Sequence, residues 1–248
     1  MTQQQLETNQ LINANGWNPA NETWAYASAD DPTYTFTISA FDATTKYSVG
    51  MKVKLTQSTG GTKYAIITKV VFDDPGSTIT AYFGTDYNLE NEAITAPYYS
   101  MLKAPFGFPL SPVKWTVEFT DTASRVQATP SSGTWYNIGT STLSIPIGVW
   151  NTSYQVAVEF NDAAADTWSI YATLSTANNT ESNVAWTTLA LNYATYRLIL
   201  SLSRAGLITA TSKTSYYLNA KTGYADLDNM YFRGDQSATT IRAVCAYL

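Results

Sequence analysis

The sequence predicts an all-β protein, in which a small antiparallel β-barrel or curled sheet is followed by a β-sandwich resembling a jelly roll. The first observation is that apolar and polar residues alternate with a period of two along many short runs, which Gly, Pro and Asp separate. The second is that only 13% of the residues are charged, while Thr, Ser, Ala, Asn and Tyr are abundant. Such a composition suits pleated, half-buried β-surfaces better than helices.

The first half has the pattern of an antiparallel meander. In "TYTFTISAF" the residues Tyr34, Phe36 and Ile38 fall on one face of a strand. "GMKVKLTQ" alternates in the same way and places Lys52 and Lys54 on the face opposite its apolar residues. "STGGTK" and "DDPGS" have the composition of turns between such strands. A curled sheet or small barrel of four or five strands accommodates this pattern.

The second half continues in longer strands, and seven or eight of them over its length indicate a β-sandwich. The predicted strands are "KWTVEFT", "STLSIPI", "YQVAVEF", "TWSIYATLS", "YRLILSLSRA", "LITATS" and "TIRAVCAYL". "YRLILSLSRAG" could also form a helix, because its β-branched content is modest. "STANNTESNVAW" is predicted to be a polar loop.

The basic residues suggest where one domain ends. All six before position 113 are lysines, whereas five of the eight after it are arginines. We therefore predict an N-terminal arm or short helix over 1–20, a β-module over 21–112 and a β-sandwich domain over 113–248.

Prolines and aromatic residues are concentrated just before this boundary, between Glu92 and Trp115. The prolines exclude a regular helix and favour extended backbone, while the aromatic rings provide surface for packing. A flexible linker would instead be rich in Gly and Ser or in charge. We predict a stiff interdomain junction made by Pro97, Tyr98, Tyr99, Pro105, Phe106, Phe108 and Pro109.

Composition excludes several classes of function. The net charge is −5 and no Lys/Arg cluster occurs, so neither nucleic acid nor an acidic membrane surface is an expected partner. No run of 18 apolar residues predicts membrane insertion. The start of the chain lacks the features of a signal peptide, and the single Cys245 has no internal disulfide partner, so we expect synthesis in a reducing cytoplasm. The absence of histidine excludes His-dependent triads and His-ligated zinc sites.

Paired carboxylates offer the first candidate chemistry. The pairs Asp30–Asp31 and Asp73–Asp74 lie in turn sequences, where Asp commonly caps the backbone. The pairs Asp162–Asp166 and Asp226–Asp228 could also hold a cation, and Asp226, Asp228 and Asn229 have the spacing of calcium ligands in a loop. Turn and loop roles explain these residues more simply, so no metal site is predicted.

Two other candidates for catalysis are weak. Glu118 and Glu159 lie in predicted strands, as a pair of glycosidase carboxylates would, but polar alternation on an exposed sheet face also explains them. Cys245 lies between apolar neighbours and has no histidine base, so we expect a buried, unreactive thiol.

Aromatic residues of the second half could contact a glycan or another subunit, because rings stack on sugars and are enriched at interfaces. Most aromatic residues of a β-sandwich nevertheless belong to the core. The candidates are Trp135, Tyr136, Trp150, Trp168, Trp186, Tyr216 and Tyr217.

Five segments of the first 115 residues together resemble a module of structural proteins in tailed bacteriophages and prophages, described as minor structural or tail-fibre-like. These segments are "GWNPANETWAYASA", "TTKYSVGMKVKLTQ", "TKYAIITKV", "TITAYFGTDYNLENEAITAPYYS" and "KAPFGFPLSPVKWTVEF". The second half resembles, by strand pattern alone, the jelly-roll domains of phage fibres and receptor-binding proteins.

The resemblance implies a non-enzymatic virion protein without catalytic, cofactor-binding or metal-binding residues. It implies assembly in the bacterial host cytoplasm into oligomers, most often homotrimers, and contacts with other virion proteins of the tail, baseplate or capsid. We expect a protein associated with a tail fibre or baseplate that presents its β-sandwich to the host surface or to other subunits. The alternatives are a head fibre or capsid-decorating protein and, in another class, a glycan-binding or glycan-cleaving module that contacts a host cell-surface glycan.

Overall fold

A computed structural model describes residues 3–5, 15–225 and 227–248 of the chain, without the side chains of residues 163–168 and 192–196. The fold class predicted from the sequence is confirmed, since the described residues form fifteen strands in antiparallel sheets. Residues 3–5 and Asn15 are helical. Most of the predicted N-terminal arm lies outside the described residues, so its form stays a prediction.

The chain divides into two compact units. The first contains Met1–Thr116 together with two later segments, Pro146–Val149 and Cys245–Leu248. The second contains Val117–Ile145 and Trp150–Val244. The assignment of separate functions to residues 21–112 and 113–248 stays a prediction.

The first unit contains one seven-stranded antiparallel sheet with the order β1-β7-β4-β5-β6-β3-β2. Its strands are β1 (Asn18–Pro19), β2 (Ala25–Asp30), β3 (Thr33–Ile38), β4 (Lys52–Gln57), β5 (Gly61–Asp73), β6 (Gly76–Tyr82) and β7 (Thr95–Ser100). The register shifts in three strand pairs, at Tyr26/Ser28, Lys54/Thr56 and Ile67/Lys69. Such bulges bend and twist the strands that carry them, which gives the sheet its curl.

The core of the first unit follows the alternation predicted from the sequence. Tyr34, Phe36 and Ile38 are all buried on one face of β3, as predicted. Val53 and Leu55 of β4 are buried in the same cluster. The turn segments also occur as predicted, since β4 and β5 are joined at Gly61 with a positive φ of 64°.

Lys52 lies on the face of β4 opposite Val53, as predicted, but only 2% of it is exposed. Its Nζ donates hydrogen bonds to the carbonyl oxygens of Gly50, at 3.1 Å, and Tyr247. Burial lowers the pKa of this ammonium group. The residue that buries it is 195 positions later in the chain, which is why the alternation within β4 gives no sign of the burial.

Glu92 fixes the turn between β4 and β5. Its carboxylate accepts hydrogen bonds from the side chain of Ser58, from the backbone and side chain of Thr59 at 3.0 and 2.9 Å, and from the Gly60 backbone at 3.3 Å. These donors, the Ser58 hydroxyl foremost, lower the pKa of Glu92 to about 2.

We therefore expect Glu92→Gln to remove part of the acid sensitivity of the protein. The folded-state pKa lies below the unfolded value, so the carboxylate stabilises the fold above its ordinary pKa of 4.5 and stops doing so as the pH falls to about 2. Urea midpoints measured between pH 7 and pH 2 should fall less in the variant than in the wild type. Glu90→Gln, a change in an exposed neighbour, should leave the wild-type profile; identical profiles for all three proteins would contradict the role of Glu92.

The second unit is built around an eight-stranded sheet in which β11 is central. Its strands are β8 (Thr116–Asp121), β9 (Ser124–Ala128), β10 (Thr142–Ile145), β11 (Gly148–Ser175), β12 (Thr187–Ala210), β13 (Thr214–Thr222), β14 (Asn229–Arg233) and β15 (Thr239–Cys245). β11 pairs with β12, β13, β14 and β15, and β15 also pairs with β8. Four short 3-10 helices occur in the described chain, at Ala43–Thr45, Pro112–Trp115, Ile138–Thr140 and Val184–Trp186.

β11 and β12 each fold back on themselves. The Oη of Tyr154 lies 3.0 Å from the carbonyl oxygen of Ala172, although both residues belong to β11. A straight strand would place residues 18 positions apart at about 60 Å, so β11 must fold over between them. β12 does the same, because Thr188 Oγ1 donates to the carbonyl oxygen of Ser203 at 3.2 Å.

The two predicted strands "YQVAVEF" and "TWSIYATLS" both lie in β11, where Val158–Asn161 pair with β14 and Ile170–Ser175 pair with β13. The division predicted between "YRLILSLSRA" and "LITATS" is wrong, because β12 continues through Gly206 to Ala210. The strand assignment of "YRLILSLSRAG", by contrast, is confirmed over its helical alternative. Gly206 does not end β12: a Cβ at this position would lie 3.3 Å from the Trp186 ring, so the glycine permits close packing. The polar loop predicted between the strands lies between Ser175 and the 3-10 helix Val184–Trp186.

Candidate interaction surfaces

Three of the predicted junction residues lie in β7, inside the sheet of the first unit. Tyr99 is paired with Asn18 of β1 and Val53 of β4, and Pro97 and Tyr98 belong to the same strand. The Nζ of Lys54 lies 4.4 Å from the centroid of the Tyr98 ring, a cation–π contact. These residues therefore stabilise the first unit, and their proposed effect on domain geometry stays a prediction.

The remaining junction residues, Pro105, Phe106, Phe108 and Pro109, belong to one packed turn, from which only the Phe106 ring among them points into solvent. Phe108 is buried and stacks on Trp115, with ring centroids 5.1 Å apart and planes at 4°. The indole N–H of Trp115 donates to the carbonyl oxygen of Pro109 at 2.7 Å, and Pro105 is buried. Phe106, however, is 77% exposed, although its backbone is fixed by hydrogen bonds.

Phe106 belongs to an exposed apolar surface that we call the 101–113 loop. The exposed large apolar residues of this loop are Met101, Leu102, Phe106, Leu110 and Val113. The indole N–H of Trp17 donates to the carbonyl oxygen of Phe106 at 2.8 Å, so the backbone that presents the ring is anchored. A cluster of apolar side chains presented to solvent on a fixed backbone is typical of a protein-binding surface.

Two of the predicted aromatic contacts lie in the core of the second unit. Trp150 is completely buried and Trp186 is buried beside Gly206. Neither ring is available to a ligand in the single chain. The side chain of Trp168 lies outside the described residues.

The other four predicted contacts are half-buried. Trp135 lies against Tyr171, with ring centroids 6.4 Å apart, and the Nζ of Lys221 lies 4.5 Å from the Trp135 centroid. Tyr136 is tied to the sheet because its backbone bonds to Ala220. Tyr216 and Tyr217 lie in β13 opposite Leu143 and Thr142 of β10. The structure does not bring these four rings and the two buried tryptophans into one site.

Glu159 is only 3% exposed and bonds to two arginines. Its Oε1 accepts from Arg197 Nε at 2.6 Å, and its Oε2 accepts from Arg197 Nη2 at 3.1 Å and from Arg233 Nη1. Arg233 also bonds to both carboxylate oxygens of Asp235, at 2.8 and 2.7 Å, and this holds the pKa of Asp235 well below its usual range. Glu159 thus links β11, β12 and β14, and both of its oxygens are engaged by cations.

Glu118, the other strand carboxylate, has a different environment. Its side chain is 45% exposed, and its Oε2 lies 3.4 Å from Arg242 Nε. Both side chains line a depression of about 650 Å³ on the second unit. We call this depression the polar groove, and the exposed or half-buried polar side chains that line it are Glu118, Ser153, Gln155, Ser203, Arg204, Thr240 and Arg242.

The polar groove lies across four adjacent strands, β12, β11, β15 and β8. Alternation separates its residues from the core, since Tyr154 is buried between Ser153 and Gln155, and Ile241 is buried between Thr240 and Arg242. A second depression of about 540 Å³ shares Ser153 and Arg242 with the groove and continues it toward Asn151, Leu207 and Val244.

β12 lies at the rim of the sheet, and we call its exposed surface the β12 edge. Within the described part of the chain, β11 is the other strand with which β12 pairs, and the two arms of β12 lie close together, because Thr188 Oγ1 bonds to the carbonyl oxygen of Ser203 at 3.2 Å. Its exposed large apolar residues are Leu189, Leu191, Ile199 and Leu207. Arg197 and Arg204 are its two charged residues, and Arg197 bonds to Glu159 of its own chain. A strand at the rim of a sheet with exposed apolar residues and little charge favours contact with another subunit.

The remaining candidates have structural positions. Asp30–Asp31 and Asp73–Asp74 lie at the turns that follow β2 and β5, as predicted. No group of three acidic or cysteine side chains suited to a metal ion occurs in the described residues, and Asp226 lies outside them. Burial raises the pKa of the Cys245 thiol to about 11. None of the helices in the described part has the length and hydropathy needed to cross a bilayer.

Comparisons with known proteins establish no family. A scan against protein-family models finds no match, and a search of curated proteins finds none. A search of solved structures finds distant similarity to dimeric latent PorU from Porphyromonas gingivalis, which is 9% identical and matches 98% of this chain and 26% of its own, with a TM-score of 0.26. The T13 IBDV viral particle is 12% identical and matches 90% of this chain and 60% of its own, with a TM-score of 0.32. Arthrobacter globiformis T6 isomalto-dextranase complexed with panose is 13% identical and matches 98% of this chain and 44% of its own, with a TM-score of 0.25. This chain spans from about a quarter to three fifths of their lengths, and at these TM-scores none carries an argument about function.

Proposed function

We propose that this chain is a non-enzymatic structural subunit of a bacteriophage particle, associated with a tail fibre or baseplate. It attaches to the particle through its first unit and associates with copies of itself through the β12 edge of its second unit. The β12 edge is the observation that carries the assembly part of this proposal. The resemblance of the first 115 residues to phage structural modules carries the assignment to a virion.

The physical argument for assembly is that a rim strand leaves backbone hydrogen-bonding groups unpaired and that the β12 edge exposes apolar side chains. An edge strand presents unpaired backbone N–H and C=O groups, and natural monomers usually protect such edges with charges, prolines or short strands. β12 has no proline, and the side chains of Leu189, Leu191, Ile199 and Leu207 are exposed. Addition of a strand from another copy satisfies the backbone groups and covers this apolar surface.

The proposed trimer sets a requirement for this edge. An edge that pairs with the same edge of a second copy is antiparallel and two-fold symmetric, which gives a dimer. In a closed homotrimer the β12 edge must instead meet a different surface of the next subunit, because a three-fold interface is heterologous.

Attachment through the first unit is supported by the 101–113 loop. Among its five exposed apolar residues, Phe106 lies on backbone that hydrogen bonds from Trp17 and to Asn15 anchor, so a partner can bind this ring without first ordering its backbone. Charge is scarce in this protein, and a virion partner would therefore be recognised chiefly by apolar and aromatic contacts.

The environment of Glu159 supports the non-enzymatic part of the proposal. A glycosidase needs two carboxylates free to act as acid, base or nucleophile across a substrate. Both oxygens of Glu159 are bonded to arginines, and the residue is buried within the sheet. Glu159 is therefore not free to act as the second catalytic carboxylate beside Glu118.

Purified particles test this proposal. Antibodies raised against the chain should label intact particles from the phage or prophage that encodes it, and gold labels should appear at the tail fibre or baseplate in electron micrographs. Labels confined to the head would favour the alternative of a head fibre or capsid-decorating protein. If the chain is absent from purified particles by mass spectrometry, the virion assignment is wrong.

A further inference from the structure

The polar groove brings two arginines from different strands to one depression. Arg204 lies in β12 and Arg242 in β15, two strands that both pair with β11, and both residues are exposed. Short hydroxyl side chains from these three strands line the space between the charged groups: Ser153, Ser203 and Thr240. The depression of about 650 Å³ is large enough to hold a ligand group of several atoms.

Both guanidinium groups retain hydrogen-bond donors. Among the residues that the structure describes, Arg204 forms no ion pair with a carboxylate. Arg242 Nε lies 3.4 Å from Glu118 Oε2, which exceeds the separation of about 2.7–2.9 Å typical of a charge-assisted hydrogen bond. A guanidinium has five N–H donors, so each arginine can bind a further acceptor.

The lining of the groove has a surplus of positive charge and of donors. Its formal charges are those of Arg204, Arg242 and Glu118, which sum to +1. The Oε1 of Glu118 already accepts a hydrogen bond from Thr120 Oγ1 at 2.9 Å, which uses part of its capacity as an acceptor. A ligand that supplies acceptors and one negative charge, namely an oxyanion, complements this lining.

Glu118 decides which oxyanion fits best. A phosphate monoester carries a charge of about −1.5 to −2 at pH 7, whereas a carboxylate carries −1. Because Glu118 lies beside Arg242, any anion bound there is repelled by the glutamate, and the repulsion grows with the charge of the ligand. A carboxylate is also planar and can accept two parallel hydrogen bonds from a guanidinium.

The length of the depression indicates that the carboxylate belongs to an extended chain. Four adjacent strands at a spacing of about 4.8 Å span about 14 Å, the length of about four extended residues. The polar groove also continues into the second depression through Ser153, Ala205 and Arg242. Gln155 can serve a peptide backbone there, because its Nε2 donates to Ser237 Oγ at 2.9 Å and its carbonyl oxygen can accept from an N–H group.

We propose that the polar groove binds an acidic peptide segment of another protein of the particle, with a carboxylate of that segment held by Arg204 and Arg242. This inference deepens the proposed function and rests on it for the source of the segment. The charge and shape of the groove carry the chemistry of the ligand by themselves.

Fluorescence anisotropy with the purified full-length protein tests the groove. The probe is a labelled peptide of about six residues that alternates glutamate with leucine, and it should bind with a dissociation constant below about 1 mM. Its counterpart with glutamine in place of glutamate should bind at least about tenfold more weakly. Arg204→Gln and Arg242→Gln should each raise the constant of the acidic probe at least about tenfold, because each removes a charged donor.

Glu118→Gln should have the opposite effect and lower the dissociation constant at least about twofold, because it removes the repulsion and frees Arg242. A neutral or cationic ligand would not gain affinity from this change. Arg125→Gln is the matched control, since Arg125 lies in β9 outside the groove and its side chain is 47% exposed, against 48% for Arg242. It changes the net charge equally and should leave the constant unchanged.

Thermal unfolding of each variant separates lost binding from lost folding, and the midpoint of Arg204→Gln should match the wild type because Arg204 is exposed. Equal binding of the two peptides, binding of inorganic phosphate without binding of the acidic peptide, or wild-type affinity in both groove arginine variants would each overturn the inference. A loss in Arg125→Gln as large as in the groove variants would do the same, since it would indicate attraction by overall charge.

These outcomes are independent of the particle-labelling experiment. Labelled particles together with no peptide binding would retain the proposed function and reject the groove as a carboxylate site. Peptide binding by a chain that is absent from purified particles would retain the carboxylate site and reject the particle as the source of its partner.

Discussion

Replacing Glu159 with alanine should destabilise the second unit by about 3–5 kcal/mol, whereas Glu118→Ala should change stability by less than about 0.5 kcal/mol. The substitution at Glu159 removes a buried anion that bonds to both Arg197 and Arg233. Arg233, the less exposed of the two arginines, is then left with Asp235 as its carboxylate partner. Removing one partner of a buried ionic network is costly because the remaining charge stays desolvated. Glu118 is half exposed, so in Glu118→Ala water can solvate its partner Arg242 in place of the lost carboxylate.

Hydrogen exchange is the most direct measurement, because the chain contains two units and a single unfolding midpoint need not report on one of them. In Glu159→Ala, the amides of β11 and β14 should lose protection relative to the wild type, by an amount that corresponds to the expected destabilisation. Arg197→Ala should reduce protection much less than Glu159→Ala, since the Arg197 side chain is 59% exposed and water solvates its partner in part. Unchanged protection of β14 in Glu159→Ala would contradict the structural role of this carboxylate.

Glu118 and Glu159 also show that the sequence does not predict which strand carboxylate is buried and paired. Both lie at alternating positions of strands, and local pattern gives them the same interpretation. Their roles differ because of partners far along the chain, since Arg197 and Arg233 are 38 and 74 positions from Glu159. No periodicity within β11 contains that information.

The predictable part of the fold was the part determined by local chemistry. Alternation in β3 correctly predicted which residues are buried, and the Gly-Gly and Pro-Gly segments correctly predicted turns of the first sheet. The predicted strands "YRLILSLSRA" and "LITATS" are separated by Gly206, yet this glycine lies inside β12 and admits the Trp186 ring, a contact that only the folded chain reveals.

Of the surfaces, the sequence identified the segment around Phe106 but assigned its residues to one junction. The structure separates the exposed Phe106 from the buried Phe108, two positions away, because the Phe108 ring stacks on Trp115. The polar groove could not be foreseen, because its residues come from four strands that are distant in sequence. The β12 edge required the sheet order, which composition alone does not provide.

If copies associate through the β12 edge as proposed, the double substitution Leu189→Lys/Leu191→Lys should convert the oligomer into a monomer. Both leucines are exposed on the outward face of the β12 edge, so the lysines can be solvated in the single chain and the unit should still fold. In the assembly the same ammonium groups would be buried or placed beside their counterparts in another subunit. Loss of apolar area together with desolvation of two charges should weaken association at least 100-fold, which corresponds to about 2.7 kcal/mol.

Light scattering coupled to size-exclusion chromatography measures this change at matched concentrations. Leu102→Lys is the matched control, because Leu102 is similarly exposed but lies in the 101–113 loop of the first unit, and it should keep the wild-type mass. A wild type that is monomeric at tens of micromolar, or a double variant with the wild-type mass, would reject the β12 edge as the self-association surface. The wild-type mass also decides the geometry: two copies indicate antiparallel pairing of β12 with itself, whereas three require β12 to meet a different surface of the next subunit.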